Sequence, residues 1–325
     1  MTPPLSILDL AIVERNQSVR ESLEGTVVLA RHAEAEGFGR IWYAEHHNMA
    51  AIASSATSVL IAHVAAHTTS IRLGAGGIML PNHAPLVIAE QFGTLAELHP
   101  GRIELGLGRA PGSDQQTQRA LRRGPQAADY FPQDVMELQG YLTESRVPGV
   151  AATPGKGTNV PLYILGSSLF GGSLAAALGL PFAFASHFAP DALRDAVALY
   201  RRDFQPSEQL QRPHVIAGVN VVAADTSATA EAHLLYAQRR RVRQFLAPGQ
   251  PLSDDETDEL VASRAGRQVL AMMEYTAVGD ARAVGRYLDE FAAHCDADEL
   301  IVTLVSPTLD DRLRNASILA ALASG

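Results

Sequence analysis

Cysteine is almost absent from this chain. Cys295 is the only cysteine among 325 residues, so an intramolecular disulfide and a metal cluster held by cysteines are both excluded. A chain without disulfides is typical of a reducing compartment. We therefore expect a cytoplasmic protein.

Positive charge is also scarce. The sequence has 26 Lys and Arg against 35 Asp and Glu, a formal net charge of -9. Nucleic-acid binding depends on clustered cations that release counterions, so this balance argues against a nucleic-acid partner. One arginine run, Arg239 to Arg241 with Arg243, lies in helical sequence. We interpret it first as a solvated helix face; the alternative is an electropositive rim that draws in an anionic cofactor.

Long apolar runs are missing as well. The most apolar stretch, Leu174 to Ala185, is broken by Gly179 and Pro181 and is too short to span a bilayer. The chain enters Ser6 to Leu10 without the basic and apolar regions of a secretory signal. We expect neither a secretory leader nor a membrane role.

What the sequence does contain is a regular alternation of short β-rich segments and helical patterns, which is typical of βαβ units around a parallel sheet. The length suits one β/α barrel with insertions. The sequence predicts a single domain over residues 1–325, a (β/α)8 TIM barrel with insertions after strands 4 and 7. A doubly wound open sheet is the alternative. The eight strand candidates are Ser6 to Leu10, Arg40 to Ala44, Ile71 to Gly76, Arg102 to Gly106, Leu162 to Leu165, Phe182 to Ala185, Val215 to Val222 and Glu299 to Leu304.

The active site of such a barrel lies at the carboxyl ends of its strands. Strand two ends in Glu45-His46-His47-Asn48. A metal site is disfavoured, because neighbouring residues of a strand face opposite ways and no further ligand accompanies the two histidines at metal-binding spacing. The histidines are therefore either a hydrogen-bonded structural pair or include a catalytic or cofactor-contacting residue.

Strand three continues into Gly74-Ala75-Gly76-Gly77. Residues without side chains let a flat ring approach the backbone, which would suit a planar cofactor. The alternative interpretation is a tight turn that needs positive φ.

The ends of strands four and five carry groups that could bind phosphate. Arg109 follows Gly106-Leu107-Gly108, and a guanidinium at the rim matches phosphate geometry; a surface arginine is the alternative. Ser167, Ser168, Gly171 and Gly172 precede or open a helix, where backbone N–H groups form an anion site. Ordinary serine capping is the alternative there.

Taken in order, these motifs resemble the bacterial-luciferase-like flavin monooxygenases. The resemblance covers nearly the whole chain and includes Glu45 to Met49 and Ile78 to Pro85. It implies a barrel that binds FMN, usually as reduced flavin from a separate flavin reductase, and that reacts with O2 to give a flavin C4a-hydroperoxide. Within that resemblance His46 matches the active-site histidine and Gly76-Gly77 matches a strand-three site that often has a non-proline cis peptide. The positions that match the surroundings of the FMN phosphate are Arg109, Ser167, Ser168, Gly171 and Gly172.

The sequence departs from luciferase itself at two positions. Gly108 stands where luciferase has a reactive cysteine, and Ser167 stands where it has a glutamate, so light emission is not predicted. The resemblance also implies a homodimer built on helices after strands two and three, for which the apolar segments Ala56 to Thr68 and Pro85 to Leu98 are suited.

The predicted function is monooxygenation of a small organic substrate, an aldehyde or another carbonyl compound, by reduced FMN and O2. The segment Ala224 to Gly279 is a candidate lid, and Asp114, His83 and Phe170 either face the pocket or are ordinary loop structure. Two alternatives remain: an F420-dependent dehydrogenase or reductase, and a flavin-binding protein without turnover.

Overall fold

The structure is a computed structural model that describes residues 3–110, 114–124, 126–143, 147 and 149–323. Eight parallel strands close into a barrel, because the order β6-β5-β4-β3-β2-β1-β9-β7 is completed by a further pairing of β6 with β7. This closure confirms the predicted (β/α)8 barrel and rules out the open sheet. The strands are β1 (Leu5–Asp9), β2 (Arg40–Tyr43), β3 (Arg72–Met79), β4 (Ile103–Gly108), β5 (Leu162–Gly166), β6 (Phe182–Phe184), β7 (Val215–Ala223), β8 (Thr276–Gly279) and β9 (Glu299–Leu304).

The helices follow the strands on the outside of the barrel. They are α1 (Val19–Ala35), α2 (Thr57–Ala65), α3 (Pro85–Leu98), α4 (Gln115–Ala120), α5 (Phe131–Leu142), α6 (Leu169–Leu178), α7 (Leu193–Asp203), α8 (Ser227–Leu246), α9 (Asp254–Ala262), α10 (Arg264–Ala271), α11 (Ala281–Cys295) and α12 (Leu309–Ala323). Two short 3-10 helices, Leu80–Asn82 and Ala127–Tyr130, precede α3 and α5. None of the helices in the described ranges is long and apolar enough to cross a membrane.

One observed strand, β8, was not among the predicted strands. β8 pairs with the second half of β7, from Asn220↔Thr276 to Ala223↔Gly279, beyond the point where β6 pairs with Val215 to Ala217 of the same strand. It therefore extends the sheet beside the barrel mouth and is not a barrel strand. The insertion after strand seven contains α8, α9, α10 and β8, where only one helix was predicted.

Local signals explain several helix ends. Ser18 and Glu21 form a capping box at the start of α1, and Gly179, at φ 63, ends α6 in a left-handed conformation. These contacts satisfy backbone groups that a helix end leaves unpaired. The first contact fixes where the loop after β1 ends, and the second fixes where the loop that leads into β6 begins.

A buried ionic network closes the amino end of the barrel. Arg40 donates to Glu299 at 2.9 Å and to Glu104 at 3.1 Å, and Trp42 Nε1 donates to Glu104 at 2.8 Å. Above this layer the barrel interior is filled by a small apolar cluster that includes Trp42, Tyr163 and Ile216. The larger core lies between the sheet and the helices. The open end of the barrel is thus the carboxyl end.

Candidate active site

His46 lies at the mouth of the barrel. Trp42 and Ala44 belong to the interior cluster, and strand alternation carries His46 to the same side two residues later. Its backbone is fixed, because the His46 N–H donates to Ser54 O at 3.0 Å and Ser55 Oγ donates to His46 O at 2.8 Å. Its Nδ1 is buried and has no partner among the described residues.

The environment of His46 favours a neutral imidazole. Burial lowers the pKa of His46 most, the neighbouring His47 lowers it further, and Glu45 opposes both. A neutral ring has one nitrogen that accepts a proton and one that donates. His46 can therefore act as a base or hydrogen-bond partner toward a group bound at the mouth.

Glu45 and His47 point the other way and are already engaged. The Glu45 carboxylate accepts from His47 Nε2 at 2.8 Å, from His83 Nε2 at 2.9 Å and from the Met79 N–H at 3.1 Å. Burial raises the pKa of Glu45, but the hydrogen bonds from His83, His47 and Met79 outweigh it, so the pKa is lowered. These hydrogen bonds fit the structural interpretation for His47, with His83 as part of the same support, whereas the catalytic or cofactor-contacting role of His46 stays a prediction. Within the described ranges no group of three or more His, Cys, Asp or Glu is placed to hold a metal ion.

Gly76 and Gly77 form an irregularity in β3. The register between β3 and β4 shifts between Ala75 and Ile78, and the Gly76-Gly77 peptide is cis, which confirms that part of the resemblance. Neither glycine has positive φ, so the interpretation as a turn is wrong. Whether a flavin ring lies against them stays a prediction.

The side-chain space at this bulge is already occupied by protein. A Cβ on Gly76 would lie 2.9 Å from both Leu8 Cδ1 and Trp42 Cβ, and one on Gly77 would lie 2.7 Å from Gly106 O. Such distances are shorter than normal packing contacts. Close packing of β3 on Trp42 and β4 therefore requires both glycines, whatever binds at the mouth.

Arg109 and the start of α6 meet at the rim. The Arg109 guanidinium lies 4.2 Å from the centroid of the Phe170 ring, which is in the first turn of α6. Arg109 is exposed and has no ion pair with a described residue. β4 and β5 are paired strands, and this contact adds the start of α6, so the groups named in the phosphate prediction lie at one part of the rim. A guanidinium can bind an anion there.

Ser167 and Ser168 are exposed beside Arg109, and Ser168 caps α6 without a side-chain hydrogen bond. The capping interpretation therefore does not account for its hydroxyl. Gly171 and Gly172 are buried instead: a Cβ on them would lie 3.1 Å from Phe182 Cε2 and 2.8 Å from Ala196 O. They let α6 pack against β6 and α7, and its first-turn N–H groups face the rim.

Sequence reasoning missed His187, at the end of β6. Ile216 lies in the barrel interior, so Gly218 and Asn220 of β7 face the same way. A Cβ on Gly218 would lie 2.4 Å from His187 Nδ1, so the imidazole fills the space that Gly218 leaves, and Asn220 Nδ2 donates to His187 O at 2.7 Å. Burial, then Arg241, then His46 lower the pKa of His187 to about 3. Its Nδ1 is buried and lacks a partner in the described part of the chain.

With this geometry established, comparison with known proteins identifies the family. The sequence profile of the luciferase-like monooxygenases matches residues 7–295. This chain belongs to that family.

Relatives of this luciferase-like chain cover most of its length. A luciferase-like monooxygenase of Escherichia coli (strain K12) is 47% identical over 307 residues, covering 93% of this chain and 91% of that protein. An N-acetyl-S-alkylcysteine monooxygenase of Bacillus subtilis (strain 168) is 33% identical over 262 residues, with coverages of 77% and 75%. The crystal structure of apo-MsnO8 matches with a TM-score of 0.90 at 32% identity, over 99% of this chain and 98% of that one.

More distant structures share the fold alone. A 3,6-diketocamphane monooxygenase in complex with FMN has a TM-score of 0.69 at 16% identity, over 98% of this chain and 97% of that one. An F420-dependent secondary alcohol dehydrogenase in complex with an F420-acetone adduct has a TM-score of 0.71 at 14% identity, over 98% of both chains.

The insertion after β7 covers one side of the mouth of this luciferase-like barrel. Glu14, in the loop after β1, accepts hydrogen bonds from Tyr236 and Arg240 of α8. Two hydrogen bonds therefore tie the candidate lid to the loop after β1, and β1 is separated from β7 only by β9 in the barrel. Asp114 is ordinary loop structure, because it caps α4 and accepts from Asn48 Nδ2 at 2.7 Å.

Proposed function

We propose that this protein is an FMNH2- and O2-dependent monooxygenase of a small organic substrate, an aldehyde or another carbonyl compound. One observation carries the proposal: a rim with an arginine and serine hydroxyls that have no partner among the described residues, together with a helix start, lies at the same barrel end as His46, whose buried Nδ1 lacks a described partner. The arginine, the serines and the helix start suit a phosphate, and His46 suits a reacting group. Membership of the luciferase-like monooxygenases supports this pairing.

The residues present fit reduced FMN. Arg109, Ser167, Ser168 and the first-turn N–H groups of α6 would hold its phosphate, with Gly171 and Gly172 keeping α6 close to the sheet. Gly76 and Gly77 would lie beside the ring. When bound, reduced FMN supplies two electrons for the activation of O2.

The reaction balances with one oxygen atom entering the substrate. The second atom leaves as water with two electrons and two protons from reduced FMN, and the substrate supplies the other two electrons. His46, neutral and aimed at the mouth, would hold or accept a proton there. α8, tied to Glu14, would exclude bulk water from the mouth.

The proposal also covers the source of the reduced flavin, the cellular compartment and the oligomeric state. Reduced flavin would come from a separate flavin reductase, and the protein would act in the cytoplasm as a homodimer. A distant relative in fold binds FMN and another binds F420, so an F420-dependent dehydrogenase or reductase is the principal alternative outcome of the test below. A flavin-binding protein without turnover is the other.

The test is anaerobic titration of the purified protein with reduced FMN and, in parallel, with reduced F420. O2 is then admitted with a panel of aldehydes and ketones, and labelled O2 is traced into product. Tight binding of reduced FMN and one labelled oxygen atom per product would support the proposal. Binding of F420 alone, or FMN binding without substrate-dependent O2 uptake, would replace it with the respective alternative.

A further inference from the structure

The arginine run of α8 consists of three paired residues and one exception. Arg239 donates to Asp258 at 2.7 Å, Arg240 pairs with Glu14, and Arg243 lies 3.5 Å from Asp254. Arg241 has no ion pair or hydrogen bond with any residue in the described ranges. Arg241 is only partly exposed, and the charges of the neighbouring arginines are neutralised locally, so Arg241 is the residue of this run that fits the alternative prediction of an electropositive rim.

Arg241 lies on the inward face of α8. Ala230, Leu234 and Ala237 pack in the apolar cluster between α8 and the end of β7. Arg241 follows them at spacings of four, three and four residues, which places all four on one side of a helix. The helix therefore places the long cationic side chain of Arg241 on its packed face, where the residue is partly buried.

Arg241 is close enough to His187 to affect it electrostatically. Its charge is the second largest cause, after burial, of the lowered pKa of His187. Burial, and then the charge of Arg240, lower the pKa of Arg241 itself to about 10. The guanidinium remains charged at neutral pH, although its partly buried surroundings and the charge of Arg240 disfavour the charged form.

A desolvated cation without a counter-ion is unfavourable, and an anion that binds beside it relieves that cost. The phosphate candidates Arg109 and Ser168 follow β4 and β5, whereas Arg241 belongs to the helix after β7 and neighbours His187 after β6. The anion that Arg241 would meet is thus separate from the cofactor phosphate. A guanidinium binds a planar carboxylate through two parallel hydrogen bonds.

We propose that Arg241 binds a carboxylate of the organic substrate at the barrel mouth, so that the substrate is a small organic acid. The proposal rests on the function proposed above and narrows its substrate class. Arg241 would anchor the acid group at the lid side of the mouth and leave the rest of the molecule facing His46 and His187. A neutral substrate of the same shape would bind more weakly.

The test uses hexanoate as the probe and hexanamide as its neutral counterpart, with thermal unfolding and calorimetric titration, with and without oxidised FMN. We expect hexanoate to raise Tm in the wild type and hexanamide to raise it less. Arg241→Gln should weaken hexanoate binding by about 10- to 100-fold, the usual effect of a charge-assisted hydrogen bond. Arg241→Lys should recover part of the binding. Arg243→Gln, on the same helix but paired with Asp254, is the matched control and should bind hexanoate normally.

Two further measurements separate the explanations. Arg241→Met should raise the Tm of the ligand-free protein, because it removes a partly buried charge that has no partner among the described residues; a structural arginine would give a lower Tm. Riboflavin is FMN without its phosphate, so titrations with the two flavins show which variants lose phosphate binding. If Arg241→Gln weakens FMN but not riboflavin, Arg241 binds the cofactor phosphate and the proposal is overturned.

The proposal is also overturned if hexanoate and hexanamide act equally on the wild type, or if Arg241→Gln keeps the hexanoate response. Failure of the wild type to bind FMN, with an Arg241-dependent hexanoate response intact, would contradict the proposed function. The carboxylate site would survive that result.

Discussion

At the residue scale, adjacent histidines separate into two roles because a strand alternates its side chains. His47 turns to the Glu45 carboxylate, while His46 turns to the barrel mouth and keeps a buried nitrogen without a described partner. A structural histidine would have that nitrogen satisfied, since buried polar groups nearly always find a hydrogen bond. The unsatisfied atom makes His46, like His187, a candidate for contact with a bound molecule.

The first prediction concerns His46→Ala. We expect the variant to bind FMN as the wild type does and to lose about 100-fold or more in turnover, the usual contribution of a positioned acid or base. His294→Ala, on the exposed side of α11, is the control. Steady-state kinetics with an accepted substrate and a flavin titration provide the readouts. Unchanged turnover in His46→Ala would rule out the role.

The second prediction is a pH dependence of stability caused by His187. Its pKa, lowered chiefly by burial, is about 3 in the folded chain against 6.5 as the ordinary value. Between these values the unfolded chain binds a proton that the folded chain does not, so stability falls as pH falls. The contribution approaches about 1.4 kcal/mol per pH unit.

Urea unfolding of the wild type and His187→Gln between pH 7 and pH 5 measures this contribution. The variant should show a shallower loss of unfolding free energy toward acid pH, and His294→Gln should match the wild type. Equal slopes for the wild type and His187→Gln would mean that His187 is protonated, or exposed, in the folded state.

Sequence reasoning reached part of the site and missed the rest for physical reasons. His46 was predictable because its motif follows a strand end. His187 follows the predicted strand Phe182 to Ala185 just as directly and could have been found by the same rule. The packing of Trp42 against Gly76 was not predictable, because it depends on contacts between strands that distant sequence segments form.

At the scale of elements, barrel strands were predicted well where burial on both faces gives a continuous apolar run. β9 has the predicted bounds, and β7 is one residue longer. β8 was missed because it has four residues and only alternate ones are buried. α9 was missed because its acidic start resembles a loop, although Ser253 and Glu256 form a capping box that the sequence displays.

The third prediction concerns the strand ends that Arg40 joins. Arg40→Met leaves the buried carboxylates of Glu104 and Glu299 without their shared cation. Loss of one partner from a buried ion pair costs about 3 to 5 kcal/mol, and we expect a loss of that size in unfolding free energy. Arg202→Met is the control, because its pair with Asp203 is exposed.

Acid pH provides a second check on this network. Burial raises the pKa of Glu299, but His214 and Arg40 outweigh it and lower the pKa. The stabilisation from this carboxylate is present above its ordinary pKa and is lost as pH falls through the lowered value. The difference between Arg40→Met and the wild type should therefore shrink in acid. A constant difference would show that lost packing, and not lost charge, explains the variant.

At the scale of the whole molecule, the exposed apolar side chains of α2 and α3 suggest how two copies would meet. Val59 is 68% exposed, Val87 43% and Leu98 66%, and the two helices are joined by Ser58 Oγ, which donates to Gln91 at 2.9 Å. Exposed apolar residues on adjoining helices favour association, and a surface that pairs with its own copy gives a two-fold dimer.

The last prediction is that the protein is a homodimer that Val59→Glu dissociates. In an interface built on α2 and α3, a glutamate at position 59 would be buried without a partner, which is unfavourable. Sedimentation velocity at micromolar concentration should give a dimer for the wild type and a monomer for the variant. Val28→Glu, on α1 with its side chain 44% exposed, carries the same change outside α2 and α3 and should stay dimeric. A monomeric wild type would remove the proposal, and dissociation by Val28→Glu with a dimeric Val59→Glu would move the interface to α1.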